Sequence, residues 1–317
     1  MPKISLIVPL YNEAPSIERF LQAARRAVGP LEEKGFEFEF LFVNDGSSDN
    51  TLDLLIGAME RDSRLRVIDL SRNFGKEAAL TAGLDEAAGD AVVPIDVDLQ
   101  DPPEVIKELI AKWQDGFEVV LARRSDRSRD SMFKRQAAGW FYKVHNLMAD
   151  TPIPGDVGDF RLLDRNVVEA LRRLPERRRF MKGLFSWVGF RTATVSYMRQ
   201  PRSIGRSKFS AWKLWNLAIE GITSFSTVPL KFWTYVGALT SVGSFLYMLF
   251  ILIRTLIIGK DLPGYASLLM AILFLGGIQL IGIGVLGEYL GRVYLEVKQR
   301  PNYIVRRRYR SGDGVGT

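Results

Sequence analysis

The residues with the most evident chemistry lie in Val92-Val93-Pro94-Ile95-Asp96-Val97-Asp98-Leu99-Gln100-Asp101-Pro102-Pro103, an apolar run that passes directly into an acidic turn. Hard divalent cations such as Mg²⁺ or Mn²⁺ prefer oxygen ligands, keep several waters, and are held by one or two carboxylates together with substrate phosphates. Asp98 is the leading ligand for such an ion. Asp96 suits a ribose or sugar hydroxyl or a metal-bound water, and Asp101, just before two prolines, reads as a helix cap. An Asp-x-Asp tripeptide is common by chance. Its weight here comes from its place at the end of a strand-like run, where a sheet delivers both carboxylates to one edge.

Further segments have the composition of strand-end loops. Pro9-Leu10-Tyr11-Asn12-Glu13 and Val43-Asn44-Asp45-Gly46-Ser47-Ser48-Asp49 each follow an apolar run. Short acidic side chains there can accept hydrogen bonds from a nucleobase or ribose, and Tyr11 can lie against a base. Asp-Gly is also a strong turn signal, so Asp45-Gly46 has a purely structural alternative. Ser71-Arg72-Asn73-Phe74-Gly75-Lys76 offers basic residues and a glycine to a diphosphate at a helix start, against the alternative of a solvated loop. Gly158-Asp159-Phe160-Arg161 lies in a polar segment after Pro154, where Asp159 either serves the chemistry or is a loop carboxylate paired with Arg161. Two basic clusters, Arg123, Arg124, Arg127, Arg129, Lys134 and Arg135, then Arg202, Arg206 and Lys208, are suited to phosphate, since guanidinium forks bind it bidentately. A generic basic surface is the competing explanation.

Composition narrows the chemistry. The 317 residues include no cysteine and one histidine, His145, which reads as an ordinary helix residue. That excludes disulfides, thiolate metal sites, cysteine nucleophiles and histidine-rich metal sites. Catalysis must then use carboxylates, phosphates or metal. The net charge of +7 favours phosphorylated ligands, anionic lipid or nucleic acid. The basic residues concentrate near apolar segments rather than on a nucleic-acid motif, so no nucleic acid is expected beyond a nucleotide ligand.

The elements that must position these residues alternate. Short apolar runs at Ile4 to Leu10, Phe38 to Val43, Arg66 to Leu70, Ala91 to Ile95 and Glu118 to Ala122 read as strands. Helical patterns at Ser16 to Val28, Thr51 to Arg61, Lys76 to Ala88 and Pro103 to Trp113 lie between them. This order predicts an α/β, Rossmann-like domain: a mostly parallel sheet covered by helices on both faces, with ligands at the carboxyl ends of its strands.

Beyond Gly205 the pattern changes. Trp212, Trp215, Ile219 and Ile222 form one stripe, which predicts an amphipathic helix at the membrane interface. Phe232 to Ile253 and Tyr265 to Gly287 lack Asp, Glu, Lys and Arg, and each exceeds the roughly 20 residues needed to cross a bilayer, so two transmembrane helices are expected. Lys231, Arg292, Lys298, Arg300 and Arg306 to Arg308 flank the outer ends of this pair. The positive-inside rule then puts both termini in the cytoplasm, at the inner (plasma) membrane. The start of the chain lacks the features of a signal peptide, in keeping with a cytoplasmic first domain. The expected organisation is a catalytic domain over 1–205, an interfacial helix over 206–230, two transmembrane helices over 231–292, and a basic tail over 293–317 that lies on anionic headgroups or in solvent. Two helices per chain also suit a homo-oligomer in the bilayer.

The segments VPLYNE, VNDGSSDNT, LSRNFGKEAALTAGL and DVDLQDPPE resemble family 2 glycosyltransferases of the GT-A fold. GDFRLLDR, RFMKGL, the Arg-Ser-Ile-Gly-Arg-Ser-Lys-Phe segment and GVLGEYLGRVYLEVKQRPNY resemble the polyprenyl-phosphate branch of that family, of the GtrB and dolichol-phosphate mannose synthase type. The resemblance covers nearly the whole chain. It implies that Pro9, Tyr11, Glu13 and Asp45, with Lys76 and Asp96, hold a nucleotide-sugar. It also implies that Asp96, Asp98 and Gln100 form a Mg²⁺ or Mn²⁺ and diphosphate site, that Asp159 stands near the reacting centre as a base candidate, and that Arg123, Arg135, Arg202 and Lys208 meet acceptor or diphosphate. The implied reaction is an inverting transfer, with UDP-glucose the first-choice donor and undecaprenyl phosphate the acceptor. UDP-GlcNAc, an aminoarabinose derivative or GDP-mannose would use a similar frame. A processive polysaccharide synthase would carry a Gln-x-x-Arg-Trp motif and more membrane helices, which this sequence lacks. A non-catalytic scaffold or flippase component would leave the acidic motif without a role.

Overall fold

The computed structural model describes residues 1–125, 157–177, 179, 181–198, 228–258 and 264–311. The five expected strands are present as β1 (Lys3–Leu10), β2 (Glu37–Asn44), β3 (Leu65–Leu70), β4 (Ala91–Pro94) and β5 (Val119–Arg124). Their near-continuous apolar sequences follow from burial on both faces. Side chains alternate across the sheet, so Ile4, Leu6, Val8, Phe40 and Phe42 pack on one face against α1 (Ile17–Glu32), α2 (Thr51–Arg61) and α4 (Ile106–Gln114). Ile7, Leu41 and Val43 pack on the other against α3 (Lys76–Glu86), α5 (Arg165–Arg173) and α6 (Met181–Trp187). Helix α3 lies so close to β1 that a Cβ at Gly83 would sit 2.2 Å from the Ile7 side chain. Fully burying one such side chain contributes about 1.5–3 kcal/mol. An exposed ion pair contributes about 1 kcal/mol at most, so these two apolar layers dominate stability.

With β6 (Val157–Asp164), β7 (Thr192–Tyr197) and β8 (Val305–Arg310), the described residues form one eight-stranded sheet in the order β7-β5-β6-β4-β1-β2-β3-β8. Neighbours β1, β2, β3 and β4 run parallel, as do β5 and β7 (Thr192–Tyr197). Strand β6 (Val157–Asp164) is inserted between β4 and β5 and runs antiparallel to both. Because Ala91 at the start of β4 faces Asp164 at the end of β6, the start of β6 lies at the carboxyl edge of β4. Asp159 thus reaches the ligand edge on a strand rather than in the polar loop expected from sequence.

The last strand, β8 (Val305–Arg310), pairs antiparallel with β3 from Arg66↔Arg310 to Leu70↔Val305. The basic tail was expected on headgroups or in solvent. Its 305–310 stretch instead completes the catalytic sheet, because β3 would otherwise leave an unpaired edge of backbone donors and acceptors.

Helices α7 (Val228–Ile258) and α8 (Tyr265–Lys298) contain 31 and 34 residues, or about 46 and 51 Å at 1.5 Å per residue. Their spans Leu230–Ile251 and Phe274–Lys298 are long and apolar enough to cross a membrane, and neither is covered by protein. Helix α8 runs past the expected boundary at 292 to Lys298, beyond the i,i+4 pair of Arg292 with Glu288. Of the expected interfacial helix, residues 206–227 lie outside the described residues, and 228–230 belong to α7.

Candidate active site

The ends of β1 and β2 are stapled together. Asn12 adopts a left-handed conformation (φ 55°), which turns its side-chain oxygen to accept from the Ser48 amide at 2.8 Å. The Asn12 amide donates to Ser47 Oγ at 2.9 Å and the Glu13 amide to Thr51 Oγ1 at 3.1 Å. Pro9 pairs with Val43 in the β1–β2 register. Tyr11 is 40% exposed, so its ring is available to a base, whereas the Glu13 carboxylate accepts from Ser16 Oγ at 3.0 Å.

Asp45 is both structural and central. Its two oxygens accept from the Phe74 and Gly75 amides at 2.7 and 2.9 Å, fixing the loop that leads into α3. Burial outweighs these bonds and raises its pKa. Gly46 has φ +64°, and a Cβ there would lie 2.3 Å from the Arg72 carbonyl carbon. The Asp-Gly pair is thus a tight turn, and only glycine lets the two loops approach so closely.

Lys76, the first residue of α3, bridges two carboxylates. Its Nζ lies 2.7 Å from Asp96 Oδ1 and 2.8 Å from Asp159 Oδ2. Burial opposes the lysine's charge, but both carboxylates outweigh it and raise its pKa. For Asp159, burial is outweighed by Lys76 and then Lys182, and its carboxyl is held at about 2. At Asp96 burial wins, helped by the Asp159 charge, and the pKa is raised. Asp159 thus pairs with Lys76, and the Arg161 charge adds a smaller contribution; Arg161 also donates to the Gly158 carbonyl at 2.6 Å and stacks 4.1 Å over the Phe185 ring. Glu77, which sequence reasoning passed over, accepts from the Met181 amide at 3.2 Å. Burial and the nearby Asp159 push its carboxyl up to about 7. Its only sequence signal is adjacency to Lys76 at a helix start.

The acidic turn is held from below. Leu99, between Asp98 and Gln100, has φ 57°, a strained value for a residue with a Cβ and of the kind found at functional turns. Asp98 Oδ1 accepts from the Gln100 amide at 3.1 Å. Asp101 is not a helix cap: the turn at Pro103–Val105 has no side-chain cap. Asp101 is instead buried, accepts the Tyr197 hydroxyl proton, and has Arg124 Nη2 at 3.8 Å. Arg124 also donates from Nε to the Tyr197 oxygen at 3.4 Å. This triad joins the turn to the ends of β5 and β7, and no local spacing signals it. Arg123 stands exposed beside it. Arg135, Arg202 and Lys208 lie outside the described residues.

The donor set suits a hard cation. Asp96 and Asp159 already converge on one positive charge, and Asp159 Oδ1 is buried without a hydrogen-bond partner. Among the described residues no group of three acidic, histidine or cysteine side chains closes on one point. An ion at Asp98 and Asp96 would therefore complete its shell with water and phosphate oxygens, the usual habit of Mg²⁺.

Comparison with known proteins matches this arrangement. The family described as Glycosyl transferase family 2 matches residues 5–172, a span that runs from within β1 to within α5. The SfII prophage-derived bactoprenol glucosyl transferase of Shigella flexneri is 55% identical over 308 residues, covering 97% of this chain and 99% of that protein. A prophage bactoprenol glucosyl transferase homolog of Escherichia coli (strain K12) is 54% identical over 306 residues, covering 96% and 99%. Among solved structures, the mannosyltransferase PcManGT from Pyrobaculum calidifontis in complex with GDP-Man and Mn²⁺ is 18% identical, covers 94% of this chain and 86% of that one, and has a TM-score of 0.45. With its GT-A sheet, its acidic turn at the strand edge and a family match over more than half its length, the chain belongs to glycosyl transferase family 2.

Proposed function

We propose that this glycosyltransferase moves glucose from UDP-glucose to a polyprenyl phosphate, undecaprenyl phosphate, at the cytoplasmic face of the membrane, with inversion at the anomeric carbon. The observation that carries the reading is the 55% identity to a bactoprenol glucosyl transferase, which runs through the catalytic domain and both apolar helices. Tyr11, with Pro9, Glu13 and Asp45, frames the nucleoside, and the remaining lone pairs of Asp45 face the ribose or base. Asp98, Asp96 and Gln100 would hold Mg²⁺ or Mn²⁺, which would supply Lewis-acid stabilisation to the diphosphate. An acceptor phosphate oxygen attacks the anomeric carbon as the bond to the UDP oxygen breaks, and the electron pair leaves with UDP. A single displacement inverts the configuration.

The acceptor needs little deprotonation, because the second pKa of a phosphate monoester is about 6. An ionised Asp159 tied to Lys76 is a weak base at neutral pH. Its role is to hold Lys76, whose ammonium then faces the charge growing on the diphosphate. Arg123, Arg135, Arg202 and Lys208 receive acceptor phosphate, and α7 and α8 keep the domain where that headgroup emerges. Return of the tail to the catalytic sheet supports an orientation with both ends of the helix pair on the cytoplasmic side.

The test is transfer of radiolabelled sugar to undecaprenyl phosphate by purified protein in detergent, from UDP-glucose, UDP-GlcNAc, an aminoarabinose donor and GDP-mannose, with Mg²⁺, Mn²⁺ or EDTA. Glucolipid formed from UDP-glucose and abolished by EDTA is the expected result. Product from a different donor alone would replace the sugar assignment.

A further inference from the structure

We propose that the C-terminal strand β8 is a positioning element of the nucleotide pocket, and that Arg306 is the residue through which it acts. The inference rests on the reading that Asp45 and the 71–76 loop frame the donor.

That loop is held from two sides. From within the catalytic domain, Asp45 takes the Phe74 and Gly75 amides. From the far end of the chain, the segment around β8 takes both backbone groups of Ser71. The Ser71 amide donates to the Ile304 carbonyl at 2.9 Å, and Arg306 Nη2 donates to the Ser71 carbonyl at 2.6 Å. Arg306 Nη1 also lies 3.6 Å from Asp69 Oδ2. Asp69 is fully buried, and its other oxygen accepts from Asn44 Nδ2 at 2.7 Å. Asn44 directly precedes Asp45. The Arg306 guanidinium therefore touches both supports of the pocket, the start of the 71–76 loop and the pair that orients the end of β2.

These contacts are separate from what pairs the strand. The β3–β8 ladder is made by backbone groups, and its middle has its own anchor, Arg308 donating to Glu86 at 2.7 and 2.9 Å. Further anchors fix the approach to β8. Glu296 near the end of α8 accepts from the Arg177 amide at 2.8 Å, and Tyr303 donates to Asp85 at 2.7 Å. The end of the second apolar helix is thus docked on the catalytic domain at Glu296, ahead of Arg306 in the chain. Donor affinity becomes dependent on a segment whose position is set by the membrane helix.

Binding of UDP in the presence of Mn²⁺ is measured by calorimetry on the full chain in detergent, alongside melting temperature and steady-state kinetics. Arg306→Ala should weaken UDP binding and raise the donor KM by about 3- to 10-fold, the effect of one partly exposed charge-assisted bond. Its kcat should stay within about twofold, and Arg306→Lys should recover part of the loss. Arg308→Ala should leave UDP affinity unchanged. Unaltered UDP binding by Arg306→Ala, or an equal loss in Arg308→Ala, would overturn the role given to Arg306. Asp45→Ala separates the two readings: if it binds UDP like the wild type, the pocket assignment fails, whereas if it loses UDP while Arg306→Ala does not, only the present inference fails.

Discussion

The carboxylates of this site are two kinds of group. Asp159 and Asp96 share the charge of Lys76 at 2.7 and 2.8 Å, so a cation is already part of the resting arrangement. Asp98 stands on the strained turn next to Leu99, where its Oδ1 accepts from the Gln100 amide. That bond ties the carboxylate to the backbone of the turn that carries it. Asp98→Asn keeps the shape and removes the charge. Its transfer rate should fall by about 10²-fold or more, with membrane extraction and melting temperature unchanged. Full activity in the radiolabel assay would remove Asp98 from the metal site.

At the scale of elements, the acidic turn depends on strands far from it in sequence. Tyr197→Phe removes the hydroxyl that donates to buried Asp101 and leaves it the Arg124 guanidinium at 3.8 Å. The expected cost is about 1–3 kcal/mol of stability. A loosened Asp98–Gln100 turn should also lower kcat by about tenfold, since small misplacements are costly in oriented reactions. An unchanged kcat in a stable variant would show that the turn orders itself.

A second cluster lies at the opposite end of the sheet, where Arg64 grips Asp62 through Nε and Nη2 at 2.8 and 2.7 Å and Arg25 adds a bond at 2.9 Å. Arg64 is the main cause of an Asp62 carboxyl held at about 2 against an ordinary 3.8. A depressed folded-state pKa means stability that is fully present above the unfolded value and is lost as pH falls from about 4 to about 2. Asp62→Asn should therefore be less stable than wild type at pH 6, with the gap closing towards pH 2. Parallel denaturation curves across that range would refute the coupling.

For the whole molecule, the chain leaves the catalytic domain, runs through two apolar helices and returns to the same sheet. Ending the chain at Lys298 would uncover the β3 edge and remove the packing of Tyr303 and Val305 on the second core layer. Melting of the catalytic domain should drop by about 5–10 °C, given roughly 2–4 °C per kcal/mol for a domain of this size. Added peptide 299–311 should restore part of it. Equal melting points would mean that β8 contributes little to the fold.

Local patterns in the sequence were sufficient for the five core strands, the four helices between them, the two apolar spans, and the acidic turn at a strand end. Each is a short-range consequence of burial: a strand covered on both faces must be apolar throughout, and a helix in lipid must be apolar all round. Tyr11, Asp45, Asp96 and Asp98 follow such strands, at the sheet edge where the sequence pattern expected them. What tertiary structure alone decided was pairing between distant segments. The polar stretch around Asp159 becomes a strand because it inserts between β4 and β5, Asp101 turns inward because Tyr197 and Arg124 meet it, and the basic tail becomes β8 because β3 has a free edge. These outcomes depend on partners as distant in the chain as Arg66 and Arg310, and neither periodicity nor spacing within a segment encodes where those partners will stand.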